Sequence, residues 1–414
     1  MVERSLRFLH ASDFHLERPL GGTAEVPEPL ADLFIDAPYR AAERVFDAAL
    51  AERVDFVALA GDLIDVDAAG PRGPLFLCNQ FERLAARNIP VYWAGGQADS
   101  PEHWPAAFPL PKNVLRFSLS EAEEIRHTRD GVAVARILGQ SLPRRRKLRA
   151  AEFALDVQGL FTVAVVYGEA EAAALVGGAV DYWALGSNHD RVTVASTPHV
   201  AHYPGTPQGR HPREAGAHGA TLVVVEASGP PRLTHVPTDA VRWHTERLAV
   251  SSTTPREQLE RLLETRSAEL AAAHPGVELL VTWSVGGSGP LLTGLRRGTL
   301  AADLLARQRG RDGVRSAGVW SLAIVAEAPP PPPPEWYDQE SMRGEFLRAV
   351  RRCQMAGPEK IPDEMQVESY LTSSQAASAL AAVVRLDDPD SRQQVLRRVA
   401  ALGADLLSVE EAGL

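Results

Sequence analysis

Asp13 and His15 stand two residues apart just beyond the apolar run 6–11. In an extended segment side chains alternate, so these two would project from one face and could meet a single cation. Asp62 follows Gly61 at the end of a second apolar run, 55–60, where glycine permits a tight turn that aims the carboxylate into the same space. His189, in the stretch Gly186-Ser187-Asn188-His189-Asp190, could complete a set of two carboxylates and two imidazoles. Such a mixed oxygen and nitrogen set is compatible with Mn2+, Fe2+ or Zn2+. The plainer alternative is that strand-end Asp and His residues cap helices or stay solvated.

The elements that must position these residues are visible as alternation. Apolar runs at 6–11, 55–60, 90–94, 132–138, 161–166, 181–185 and 220–226 are separated by amphipathic stretches, the pattern of a layered α/β domain. A helix beginning after Pro38 would carry Val45, Phe46, Ala49, Leu50 and Val54 on one face, and a second is expected over 74–87. Run after run ends in small or polar residues on what should be the carboxyl edge of a sheet, where open α/β folds bind ligands. The run 90–94 leads into Gly95-Gly96-Gln97-Ala98-Asp99, and 161–166 into Tyr167-Gly168-Glu169.

From about residue 241 the pattern restarts as strand 245–250, a helix from Pro255, strand 276–285, a helix near 298–308 and strand 317–326, a compact β-α-β-α-β unit. Six consecutive prolines at 329–334 read as a semi-rigid extended spacer. Segments 340–354, 368–386 and 390–407 then read as helices, the last with Val395, Leu396, Val399 and Leu402 in a stripe. That stripe can pack on the body or dock a partner. The expected organisation is therefore a main domain over 1–240, a small α/β domain over 241–328, a linker over 329–335 and a helical region over 336–414.

With 414 residues, 45% of them hydrophobic but none in a stretch of spanning length, the chain reads as globular with no membrane helix. The first residues run straight into a strand without an apolar signal region, and only Cys78 and Cys353 occur, so a cytoplasmic location is expected. The formal net charge of −10 argues against a protein that coats nucleic acid with a basic surface. The local run Arg144, Arg145, Arg146, Lys147 and Arg149 could contact phosphates, although a solvated loop is the plainer reading.

Segment 6–20, with its Asp13-Phe14-His15, resembles the opening of the SbcD group of calcineurin-like metallophosphoesterases. The similarity continues through Val54-Asp55-Phe56-Val57-Ala58-Leu59-Ala60-Gly61-Asp62, Asp181-Tyr182-Trp183-Ala184-Leu185-Gly186 and Tyr203-Pro204-Gly205-Thr206-Pro207-Gln208-Gly209-Arg210, covering about residues 1–230. It implies a layered α-β-β-α sandwich, followed by a small α/β capping domain and a helical C-terminal tail. It also implies one metal held by Asp13, His15, Asp62 and His189. A second metal of the family would share Asp62 and needs an Asn and two His, which here have become Gln97, Tyr167 and Ser187. Ala98 occupies the position of the family's catalytic His.

The resemblance thus implies an SbcD-like subunit that hydrolyses DNA phosphodiesters at DNA ends, acting with an SbcC-like coiled-coil ATPase, and leaves a homodimer open. The losses imply one divalent metal, Mn2+ first, and reduced activity, unless Gln97, Glu169 or Asp99 rebuilds the second position. Two alternatives stay open: an inactive pseudo-nuclease that serves as a DNA-binding scaffold or regulator of the ATPase, and a single-metal phosphoesterase acting on a small substrate.

Overall fold

The computed structural model describes residues 5–23, 26, 28–153, 159–176, 179–226, 229–296, 298–312, 318–327, 331–355 and 389–411. The chain divides into two compact units: Met1–Thr245 with Arg266–Val281 and Arg311–Trp320, and Glu246–Thr265 with Thr282–Gly310 and Ser321–Leu414.

The first unit contains two six-stranded sheets. One comprises β1 (Leu6–Ala11), β2 (Phe56–Ala60), β3 (Val91–Ala94), β4 (Val114–Arg116), β11 (Gly219–Val225) and β12 (Arg232–Pro237), in the order β12-β11-β1-β2-β3-β4. The other comprises β5 (Glu123–Arg129), β6 (Val132–Gln140), β7 (Phe161–Tyr167), β8 (Tyr182–Gly186), β9 (Val192–Ala195) and β10 (Val200–Tyr203), in the order β5-β6-β7-β8-β10-β9.

Strand alternation divides the side chains between two cores. Leu9, Ala11, Val57, Leu59, Val91 and Trp93 face the helix layer, where they meet Val45, Phe46 and Ala49 of α1 (Ala31–Ala51) and Leu77, Phe81 and Leu84 of a later helix, Arg72–Ala85. Counting the short α2 (Val66–Ala69), that later helix is α3. Phe8, Phe56, Ala58 and Tyr92 point the other way and pack between the sheets against Ile137, Val163, Val165 and Tyr182. Phe8 and Phe56 stack there at 4.7 Å between ring centres. Burial on both faces explains why β2, Phe-Val-Ala-Leu-Ala, is apolar throughout. The outer face of the second sheet is covered by Leu142, Leu148, Phe153 and Leu175, carried by loops and two 3-10 turns.

This is the mixed α/β sandwich the apolar alternation leads one to expect, with local differences. The first helix begins at Ala31, not after Pro38, and carries that proline inside it. Proline removes one helical N–H bond, but Phe34 and Ala37 of the extra turns are buried, and Phe34 packs edge-on against Trp243 at 6.2 Å. Strands 114–116, 123–129, 192–195, 200–203 and 232–237 were not legible as apolar runs. They are short or half-exposed, so their alternation is weak; β5 and β6 are instead joined by Asp130-Gly131, both at positive φ, the geometry of a tight hairpin.

The strands β13 (Val241–Val250), β14 (Glu278–Gly287) and β15 (Val319–Ala326) form a third sheet in that order. Between them in the chain come α4 (Arg256–Ala273), α5 (Pro290–Arg296) and α6 (Thr299–Asp312). Of the six prolines, Pro334 opens a short helix, α7 (Pro334–Tyr337). Then α8 (Met342–Met355) and α9 (Pro389–Glu411) pair through Leu347 and Val350 against Leu396, Ala400 and Ala404. The stripe expected on the last helix is thus largely spent on its neighbour, with Leu402 left exposed. The helix expected over 368–386 lies outside the described residues. No helix among the described residues is long and apolar enough to cross a membrane.

Candidate metal centre

The parallel pairings β1·β2 and β2·β3 in one sheet, and β6·β7 and β7·β8 in the other, send the loops after these strands to common carboxyl edges. The backbone there is unusual. Asp13, His15, Asp62 and Ser187 have φ of 56°, 45°, 53° and 98°, a region L-residues seldom adopt. Each such residue costs on the order of 1–3 kcal/mol unless its surroundings enforce it. Enforcement is visible: Asp13 N–H donates to Gly61 O, His15 N–H to Asp62 O and Leu16 N–H to Leu63 O, while the Thr206 hydroxyl donates to Asp13 O. Gly96 is needed for close approach, because a Cβ there would lie 2.6 Å from Asp62 Oδ1.

These constraints bring Asp13, His15 and His189 together, with one potential ligand atom from each lying within 4.8 Å of the others. Asp13 is 1% exposed; its Oδ2 accepts from the Ser12 hydroxyl and Ser187 N–H, but Oδ1 has no partner. Burial raises its pKa. Both ring nitrogens of the buried His15 also lack hydrogen-bond partners. A buried carboxylate oxygen and imidazole left unsatisfied side by side are costly as they stand, and a cation would satisfy both. The residues present therefore fit a divalent metal.

Two carboxylates missed in the sequence stand behind the imidazoles, and one of them hydrogen-bonds its ring. Glu214 Oε1 lies 2.8 Å from His189 Nδ1, and Glu17 Oε1 lies 3.5 Å from His15 Nδ1, ion-pair distance rather than a formed hydrogen bond. A carboxylate on Nδ1 fixes the ring and leaves Nε2 for a metal. Glu17 lies two residues beyond His15, but the positive φ of Asp13 and His15 breaks the extended alternation expected there, so the turn and not strand spacing places these side chains. Glu214 had no signal in the sequence, being brought in by tertiary structure.

Asp62 stands beside this group. Its Oδ2 is 3.9 Å from His15 Nε2, and its Oδ1 accepts Ala98 N–H at 2.7 Å. Burial and the nearby Asp62 charge push the Tyr167 pKa well up, so the phenol stays a donor. Ser187 Oγ donates to Gly168 O at 2.8 Å, Gln97 is exposed, and Ala98 supplies only its backbone. Asp99 and Glu169 are engaged elsewhere. Asp99 accepts from Asp62 N–H, Leu63 N–H, Gly96 N–H and Trp93 Nε1–H, while Glu169 pairs with Arg145 at 3.2 Å. Burial and then the Asp62 charge push the Asp99 pKa up to about 7 against the pull of the backbone donors.

Residues 6–139 match the family model for calcineurin-like phosphoesterases. Over this stretch the chain is similar to calcineurin-like phosphoesterases. It is also similar to the uncharacterized metallophosphoesterase YhaO of Bacillus subtilis, at 33% identity over 240 residues, covering 53% of this chain and 57% of that protein. The chain thus spans little more than half the length of that relative. Metallophosphoesterases use divalent metals, and the group formed by Asp13, His15 and His189 has the composition for one.

The basic run 144–149 is largely neutralised. Arg145 pairs with Glu169, Arg146 with Glu152 at 2.9 Å and Lys147 with Glu171 at 2.6 Å, while Arg144 and Arg149 are exposed. Surface pairs of this kind contribute little to stability, but each removes a cation from what phosphates would meet.

Glu214 should be detectable by titration. Burial would raise its pKa, but the His189 hydrogen bond and then the Arg210 N–H and charge outweigh it and hold the group at about 2. A folded pKa below the unfolded value contributes stability above about pH 4.5, lost as pH falls toward 2. Urea unfolding of Glu214→Gln should therefore show a flatter stability profile across that window and lower stability at pH 7. Its metal affinity should fall about 10- to 100-fold, as for loss of a partner behind a ligand; an unchanged acid profile would show that Glu214 is not held ionised by His189.

Proposed function

We propose that the chain is an SbcD-like subunit of a DNA-processing complex whose phosphoesterase site holds one divalent metal, Mn2+ first, and cleaves DNA ends slowly. The observation that carries the single-metal reading is the contrast within the site: Asp13 and His15 bring unsatisfied ligand atoms together beside His189, whereas Ala98 N–H is spent on Asp62 and Ser187 is tied to Gly168. A cation held by the first group would polarise a phosphoryl oxygen and lower the pKa of the attacking water. Glu214 holds the His189 imidazole by its Nδ1 side, and the surrounding fold excludes water from Asp13. Ala98 offers no proton donor for the leaving oxygen, and general acid–base help is worth roughly 10²–10⁴-fold.

The DNA assignment rests on the SbcD-like segments in the sequence, with the similarity to YhaO supporting the phosphoesterase class only. The test is cleavage of linear duplex DNA in Mn2+ together with gel-shift binding to DNA ends. End binding with slow cleavage is the expected result; binding without cleavage would favour an inactive scaffold, and hydrolysis of small phosphodiesters without DNA binding a small-substrate enzyme. The combined change Gln97→Asn, Ala98→His, Tyr167→His and Ser187→His should add a second metal per chain and raise nuclease activity by at least the roughly 10²-fold that an acid–base group supplies. No gain in metal content would refute the account of how the second position was lost.

The proposed docking element for an SbcC-like coiled-coil ATPase is the α8–α9 pair. It carries exposed Met342 and a shallow groove of about 500 Å3 whose lining includes Phe346, Ala349, Arg348 and Arg352. Ending the chain near residue 335 should abolish co-purification with the ATPase while metal binding persists; unchanged co-purification would remove this assignment.

A further inference from the structure

Arg210 is a buried guanidinium beside the metal group with hydrogen-bonding capacity that the protein does not use. Its residue is 8% exposed, and Nε and Nη1 have no hydrogen-bond partner. Nη2 lies 3.2 Å from His189 Nδ1 and 3.4 Å from His189 Nε2. An atom nearly equidistant from both ring nitrogens cannot lie along the lone pair of either, so Nη2 sits over the imidazole face. The Nδ1 edge of that ring is taken by Glu214. The charges around the guanidinium are the carboxylates of Glu214, Asp13 and Glu17 and the Arg18 cation, and none of these carboxylates accepts from Nε or Nη1.

The position is built from the backbone. Arg210 N–H donates to Glu214 Oε2 and Arg210 O accepts Gly21 N–H. Two residues earlier, the Gln208 amide is fully engaged with Ala240 N–H, Val241 N–H, Val241 O and Gly209 O. Thr206 N–H donates to His189 O, and its hydroxyl to Asp13 O. The loop 206–210 is therefore tied to both ligand loops, which fixes the Arg210 backbone beside His189.

We propose that Arg210 is an oxyanion-binding residue of this site, whose free Nε–H and Nη1–H donate to the non-bridging oxygens of a phosphoryl group lying against the metal group. Buried charges are retained where they are paired, and a guanidinium presents its donors in a fork that matches two oxygens of one phosphate. In a site with one cation, a second positive group facing the same phosphoryl takes over part of the charge neutralisation that a second metal otherwise supplies. The inference rests on the single-metal phosphoesterase reading for its ligand class, while the unpaired donors stand by themselves.

The experiment measures inorganic phosphate binding by calorimetry to the full chain, with and without Mn2+, for the unmodified protein, Arg210→Gln and Arg210→Lys, and Mn2+ content for all three. Arg210→Gln should weaken phosphate binding roughly 10- to 100-fold, the loss of a charge-assisted contact, with Mn2+ content unchanged. Arg210→Lys should fall between the two, because it keeps the charge but loses the planar fork; it also decides the matter if the Gln variant does not fold. Phosphate affinity equal within about threefold in all three proteins would overturn the proposal, as would loss of Mn2+ in both variants, which would make Arg210 only a counter-charge for the ligands. If the unmodified protein binds no Mn2+, the single-metal reading fails by itself. Arg210-dependent phosphate binding without Mn2+ would then still support the oxyanion role, and its absence would end it.

Discussion

His189→Ala is expected to remove metal binding, taking the protein from one Mn2+ per chain to none at micromolar metal. Of the converging group only Asp13 and His15 would remain, with Asp62 beside them holding Ala98 N–H through Oδ1. Losing a ligand should exceed the roughly 10- to 100-fold weakening expected when only an outer partner is removed. Stability gives a second readout. Metal at one hundred times its dissociation constant stabilises the folded state by about 2.7 kcal/mol. Mn2+ should therefore raise the Tm of the unmodified protein by roughly 5–10 °C and leave that of His189→Ala unmoved. Two tightly bound metals in the unmodified protein, or an unaltered stoichiometry in His189→Ala, would show that the ligands lie elsewhere.

The second large effect is structural. Asp99→Ala should lower unfolding free energy in urea by about 3–5 kcal/mol, because a buried N–H without an acceptor costs on the order of 1–3 kcal/mol and four donors lose theirs together. Those donors are Asp62 N–H, Leu63 N–H, Gly96 N–H and Trp93 Nε1–H, so Asp99 ties the turn after β2 to the turn after β3. It positions Asp62 at its positive φ without facing the metal group. A loss under about 1 kcal/mol would mean that the loop relaxes or water replaces the carboxylate.

Much of this architecture is legible in the linear chain. The central strands are apolar on both faces because both are buried, so 6–11, 55–60, 90–94, 161–166 and 181–185 stand out from their neighbours whatever the fold around them. The residues just beyond them are polar because a sheet edge is where the chain can reach solvent and ligand, which singles out Asp13, His15, Asp62 and His189. Edge strands such as 192–195 and the extra turns of α1 before Pro38 were not legible, since one depends on its partner strand and the other on what Phe34 packs against. Only the tertiary structure decided how the polar residues are used. It turned Asp99 from a candidate ligand into a scaffold for two turns, paired most of the basic run with carboxylates, and brought Glu214 and Arg210 to His189 from a loop more than twenty residues away. Residue type and spacing determine which groups can bind a cation or an anion, but partner, distance and leftover hydrogen-bonding capacity are properties of segments remote in sequence, and no local pattern encodes them.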